Sequence, residues 1–167
     1  MNPDNTQAVY TNTYRATVDF GDGAKGGIQV TKEMTGRTAG AGEFSFTVKG
    51  IDGTGTTAAE ANAMLESGDR LFGNTASNTM QLFMGDGFKF DQDDAGKTFS
   101  FVVDELSSQD EITGEFPADP KPNVTYDKAS YRVDLKVVDD GDGSMHVETT
   151  ITPCDASGTA TGDMVYA

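Results

Sequence analysis

Three features of this 167-residue chain predict an all-β sandwich with one short inserted helix. Short runs alternate apolar and polar residues with the period of a strand. Clusters of Gly, Asp and Asn separate those runs at close intervals. Only one stretch, Thr57 to Leu65, is dense in helix formers.

Taken in order, Met1 to Thr6 is polar and reads as the start of a fragment, and Ala8 to Tyr14 reads as a strand with Ala8, Tyr10, Asn12 and Tyr14 on one face. Gly21 to Gly27 reads as a flexible joint. Ile28 to Met34 is the next strand, with Ile28, Val30, Lys32 and Met34 on its apolar face. Glu43 to Lys49 alternates cleanly and buries Phe44, Phe46 and Val48. After the helix, strands are expected at Thr79 to Met84, Phe88 to Phe90 and Lys97 to Leu106, with an acidic, proline-bearing loop from Ser107 to Pro122. Tyr131 to Val137 is the purest period-two run. The Asp139-Asp140-Gly141-Asp142-Gly143 cluster then turns it into a second strand from Met145 to Ile151, a hairpin signal. A final strand is expected at Asp163 to Ala167.

The length suits one domain with a real core. A formal net charge of -15 argues against nucleic acid or an anionic membrane as partner, since both reward basic patches. The single cysteine, Cys154, excludes an internal disulfide framework, and the single histidine, His146, argues against a His-rich metal site or a Ser-His-Asp triad. No cofactor is implied. No apolar run reaches the ~20 residues of a membrane helix. The acidic turn at Asp139 to Gly143 lacks the spacing and closing glutamate of an EF-hand, so turn chemistry explains it better than calcium.

Three polar groups fall on apolar strand faces. Lys32 shares a face with Ile28, Val30 and Met34; Glu105 ends the face of Phe99, Phe101 and Val103; Asn12 lies between Tyr10 and Tyr14. Together they are the groups an intramolecular isopeptide bond requires. A buried lysine can act as a neutral amine nucleophile, and a buried glutamate can stay protonated and polarise the asparagine carbonyl. A folded core replaces a slow bimolecular exchange with a high effective concentration. On pattern alone the ordinary readings stand beside this one: a strand-end lysine snorkels to water, a strand-end glutamate is exposed, and such an asparagine sits in a turn or at an edge.

Several pieces, in order, resemble the isopeptide-linkage domains of Gram-positive major pilins, which are similar to immunoglobulin-like collagen-adhesin B-type sandwiches. They are Val30 to Arg37, Gly42 to Phe46, Gly96 to Glu105, Val124 to Asp127, and Val133 to Val138 with its following turn. The resemblance implies that Lys32 is the cross-linking lysine and Glu105 the assisting proton shuttle. It places the partner asparagine in an aromatic-x-Asn-x-Tyr motif on the last strand. Here the chain departs from the pattern. The matching motif, Tyr10 to Tyr14, lies at the N-terminus, and the C-terminal Met164-Val165-Tyr166-Ala167 echoes its beginning.

The expected organisation is therefore an N-terminal strand and linker over residues 1–27, resembling the end of a preceding repeat, and a sandwich domain over 28–167. The linker from Arg15 to Gly27 could span ~40 Å and bring Asn12 back to Lys32. Alternatively Asn12 docks in a neighbouring chain, or the bond is absent. The resemblance implies a structural module of an extracellular adhesin or pilus shaft, with head-to-tail repeats or subunits as partners and at most a single-turnover self-modification. The alternative is an adhesin module that contacts a host glycan or matrix protein. A hydrolase ranks last, lacking a Ser-His or metal constellation.

Overall fold

A computed structural model of the chain describes residues 15–20, 28–65, 71–73, 79–82, 86–106 and 129–165. The strands are β1 (Thr17–Asp19), β2 (Ile28–Thr31), β3 (Ser45–Ile51), β4 (Leu71–Gly73), β5 (Thr79–Leu82), β6 (Lys89–Asp91), β7 (Thr98–Glu105), β8 (Ser130–Asp139) and β9 (Met145–Cys154), and the helix is α1 (Ala58–Met64). The chain is mostly β with one short helix, as its alternation predicts. Five strands form an antiparallel sheet in the order β4-β3-β7-β8-β9, and two strand pairs, β1-β6 and β2-β5, stand apart from it.

The β8–β9 hairpin is the longest pairing, running from Ser130↔Cys154 to Asp139↔Met145. Val133, Leu135 and Val137 are fully buried on its inner face, as strict alternation requires. On neighbouring β7, Phe99 and Phe101 face the same core. Phe88, in the turn just before β6, and Phe90, within it, pack onto that core. The Phe88 and Phe101 rings lie 5.8 Å apart and the Phe90 and Phe99 rings 5.2 Å apart. These two contacts fix the direction of β6 as antiparallel to β7.

The helix begins at a capping box, in which Thr57 Oγ1 accepts from the Glu60 amide and the Glu60 carboxylate accepts from the Thr57 amide. It docks on β3 at Gly50. A Cβ there would come within 2.6 Å of the Asn62 amide nitrogen and 2.7 Å of Ala61 Cβ. The Asn62 side chain also accepts a hydrogen bond from the Gly50 amide at 2.8 Å.

Several boundaries differ from the sequence reading. β1 was not anticipated: Thr17–Asp19 pairs with β6, and Ala16 and Phe20 are buried in the core. The residues 1–27 considered as a leading segment thus include six described residues, 15–20, that lie on the sandwich. β4 was also unanticipated, and β2 ends at Thr31 rather than Met34. No strand forms over Asp163 to Val165. Instead the chain after β9 makes two bonds to it, Thr161 N–H to Pro153 O and Val165 N–H to Ile151 O. The expected strand at Ala8 to Tyr14, the loop at Ser107 to Pro122 and Val124 to Asp127 lie outside the described residues.

The outer face of the five-stranded sheet is also covered. Ser100 and Val102 are fully buried there, with Gly158 of the loop after β9 lying against Ile51 and Val102. Gly50→Ala is expected to lower stability by about 1–3 kcal/mol, because the new methyl must displace the helix backbone. Urea unfolding measures this, and an unchanged midpoint would contradict the docking described here.

Candidate functional site

Lys32 follows β2 directly, and Glu105 is the last residue of β7. Glu105 stands opposite Phe46 of β3 in the register. Its side chain is therefore on the inner face, as its spacing from Phe101 and Val103 predicts. Lys32 Nζ donates to both Glu105 carboxylate oxygens, at 3.0 and 2.9 Å. The side chains are 11 % and 7 % exposed, so this ion pair is largely removed from water.

The loop between β2 and β3 places a ring against the amine. Arg37 grips the Glu43 carboxylate with both terminal nitrogens, and the same carboxylate accepts from the Gly40 amide at 2.8 Å. This closure brings the chain back into β3 with Phe44 buried. Lys32 Nζ lies 4.4 Å from the centroid of the Phe44 ring, a cation–π contact. One wall of the amine's surroundings is thus apolar and aromatic, and the other is a carboxylate.

Among the described residues, the pair borders a cleft of about 400 Å³. Its lining is mixed: Lys32, Glu33 and Glu105 bring an amine and two carboxylates beside the apolar side chains of Ile28, Val103, Val133 and Ile151.

A family model described as FctA, a Spy0128-like isopeptide containing domain, matches residues 28–165. The chain belongs to this family. Comparison with curated proteins and with solved structures gave no match. Membership identifies the chain as an isopeptide domain of Gram-positive pilin type, a structural module of a cell-surface appendage that assembles with other pilin subunits.

Of the three residues expected at the site, the fold brings Lys32 and Glu105 together, while Asn12 lies outside the described residues. Phe44 was expected in the core but not beneath the lysine. Only closure of the Arg37–Glu43 loop puts it there. The remaining polar candidates have local explanations. Asp142 accepts from the Ser144 amide and hydroxyl across the β8–β9 turn, which holds its carboxyl below the usual range. His146 is exposed, with Nδ1 at 2.8 Å from Asp140. Arg132 Nε pairs with Asp134, which also accepts from Ser100 on the outer face. No metal-holding group occurs among the described residues.

Cys154 is buried at the end of β9. Desolvation, aided by the negative charges of Asp104 and Asp155, pushes its thiol above the ordinary value. The reactive thiolate therefore forms only at higher pH than in an exposed cysteine. Alkylation of the folded protein near neutral pH is expected to run at least about tenfold slower than that of the urea-unfolded chain. Equal rates would contradict the burial.

The ion pair yields a sharper prediction, made in an Asn12→Ala background so that no amide with that residue can form. Glu105→Ala should destabilise by about 3–5 kcal/mol, because it strands the lysine charge. Joint replacement by Lys32→Met and Glu105→Met should recover most of that loss. Urea unfolding of the single and double variants measures it, and additive losses would contradict a coupled, desolvated pair.

Proposed function

We propose that this module is stabilised by an autocatalytic amide bond between Lys32 and an asparagine carboxamide, assisted by Glu105, and that it serves as an extracellular shaft or adhesin unit. The observation that carries the reading is the contact of both Glu105 oxygens with Lys32 Nζ where the pair lines the cleft. Family membership supports it, since the matching domains are described as isopeptide containing.

In the proposed reaction a proton first passes within the pair from the Lys32 ammonium to Glu105, and the resulting neutral amine attacks Cγ of the carboxamide. Glu105 gives its proton to the departing Nδ2 and takes up one from the attacking nitrogen. The Cγ–Nδ2 bond breaks, the Nζ–Cγ bond remains, and ammonia leaves, carrying away as ammonium the proton that Glu105 then holds. Glu105 ends as the carboxylate it began as, so the step runs once and needs no cofactor. The buried setting contributes by fixing amine and carboxamide in contact and excluding competing water. The motif Tyr10-Thr11-Asn12-Thr13-Tyr14 makes Asn12 the proposed carboxamide donor.

Intact mass under denaturing conditions tests this. Each bond removes one ammonia, a loss of ~17 Da, and the loss should vanish in Lys32→Ala and Asn12→Ala. Glu105→Ala should slow it by at least about 100-fold, the contribution of a positioned proton carrier. An unshifted mass for the folded wild-type chain, with no covalent species, would contradict the proposal.

A further inference from the structure

We infer that the Arg37–Glu43 closure is a positioning device for the amine: it seats Phe44 against Lys32 and so aims Nζ for amide formation. The inference rests on the cross-link reading above. It adds a residue, Arg37, that governs the step without touching the reacting atoms.

The strands stop short of both partners. β2 ends at Thr31 and β3 begins at Ser45, so Lys32 and Phe44 are the first and last residues of the connection between them. Their relative position is set by how that connection folds. Nζ is then held from two sides. Both Glu105 oxygens accept from it, at 3.0 and 2.9 Å, and the centroid of the Phe44 ring lies 4.4 Å away. A carboxylate alone lets an ammonium pivot, because a lysine head is a compact point charge on a flexible stem. The ring removes that freedom. It is 1 % exposed, and its electron-rich face attracts the amine's positive charge.

Phe44 owes this seat to the closure. Gly36 and Gly42, each just before one partner of the Arg37–Glu43 pair, bend the chain at φ of +95° and +70°, a region that favours glycine. Arg37 then takes the Glu43 carboxylate with both terminal nitrogens. Gly40 reinforces the grip. Its amide donates to the same carboxylate at 2.8 Å, and its carbonyl accepts from the Glu43 amide at 3.2 Å. Glu43 is thus pinned by side chain and backbone, and Phe44 is the next residue. On the other side, the Ser45 carbonyl accepts from the Leu106 amide at 2.9 Å, beside Glu105. Phe44 is caught between two fixed neighbours. It lies two residues from Phe46, the register partner of Glu105, so alternation turns its ring to the same inner face.

The Arg37 side chain is 46 % exposed, and an exposed ion pair adds little to stability. A two-pronged grip on a carboxylate fixes direction instead. Direction matters to bond formation, where a misplacement of ~1 Å can cost about 100-fold in rate.

Two readouts on the full-length chain, refolded from urea, test the inference. The first is the time course of the ~17 Da loss by intact mass. Arg37→Gln should slow it at least about tenfold. Arg37→Lys, which keeps the charge but not the two-pronged grip, should fall between. The second is the NMR shift of the Lys32 ε-methylene protons, one bond from Nζ, which the Phe44 ring moves upfield. In Arg37→Gln that shift should move toward its value in Phe44→Leu, while the amide shifts of β8 and β9 stay as in wild type. Equal rates of mass loss in wild type and Arg37→Gln would overturn the inference and keep the cross-link. Full mass in every sample would overturn the cross-link reading, and the Lys32 shift would then decide the positioning: moved in Arg37→Gln it supports the device, unmoved it overturns it.

Discussion

The contact between Lys32 and Glu105 is the constraint around which this end of the sandwich is built. It joins the chain just after β2 to the last residue of β7, a central strand of the five-stranded sheet. Two charges so far from water are unfavourable unless each meets the other closely, and the effective penalty is several kcal/mol per ion. Replacing such a pair with apolar groups of similar volume is often neutral or stabilising, so the pair fits the proposed cross-link chemistry better than a purely stabilising role. The Arg37–Glu43 closure, the Phe44 ring against the amine and the cleft bordering the pair surround it.

The layers above and below the pair are held by ordinary forces. Phenylalanine contacts between β6 and β7 and the close-packed β8 side chains supply the hydrophobic term, at roughly 25 cal/mol per Å² of apolar surface removed from water. The proposed cross-link would add something of a different kind: burial and hydrogen bonds resist unfolding only by free energy, whereas an amide bond resists pulling covalently. That difference suits a shaft module of a surface appendage, which must carry load without a disulfide framework.

Where alternation was strict, the fold was legible from residues. Val133, Leu135 and Val137 announced the β8–β9 hairpin, and the Phe99-Phe101-Val103 face placed Glu105 indoors. Lys32 was legible by the same rule, although β2 stops one residue before it. Thr17–Asp19 was missed because three residues flanked by a glycine-rich stretch carry too little pattern, and its burial comes from β6, far along the chain. Leu71–Gly73 was missed for the same reason of length. Burial of Ser100 and Val102 depends on the loop around Gly158 covering the outer face, a tertiary effect that no local window contains. The expected last strand failed differently: Asp163 to Val165 alternates well enough, yet only one amide there bonds to β9. The position of Phe44 under the lysine required knowing that Arg37 closes on Glu43.

The central proposal is that Lys32 becomes bonded through an amide to an asparagine carboxamide with the help of Glu105. Peptide mapping of the denatured, digested protein tests it most directly. The account predicts a branched peptide in which Lys32 carries an asparagine-containing peptide, ~17 Da lighter than the two parts together, and its loss in Lys32→Ala. A Lys32 peptide of unmodified mass from the folded protein would contradict it.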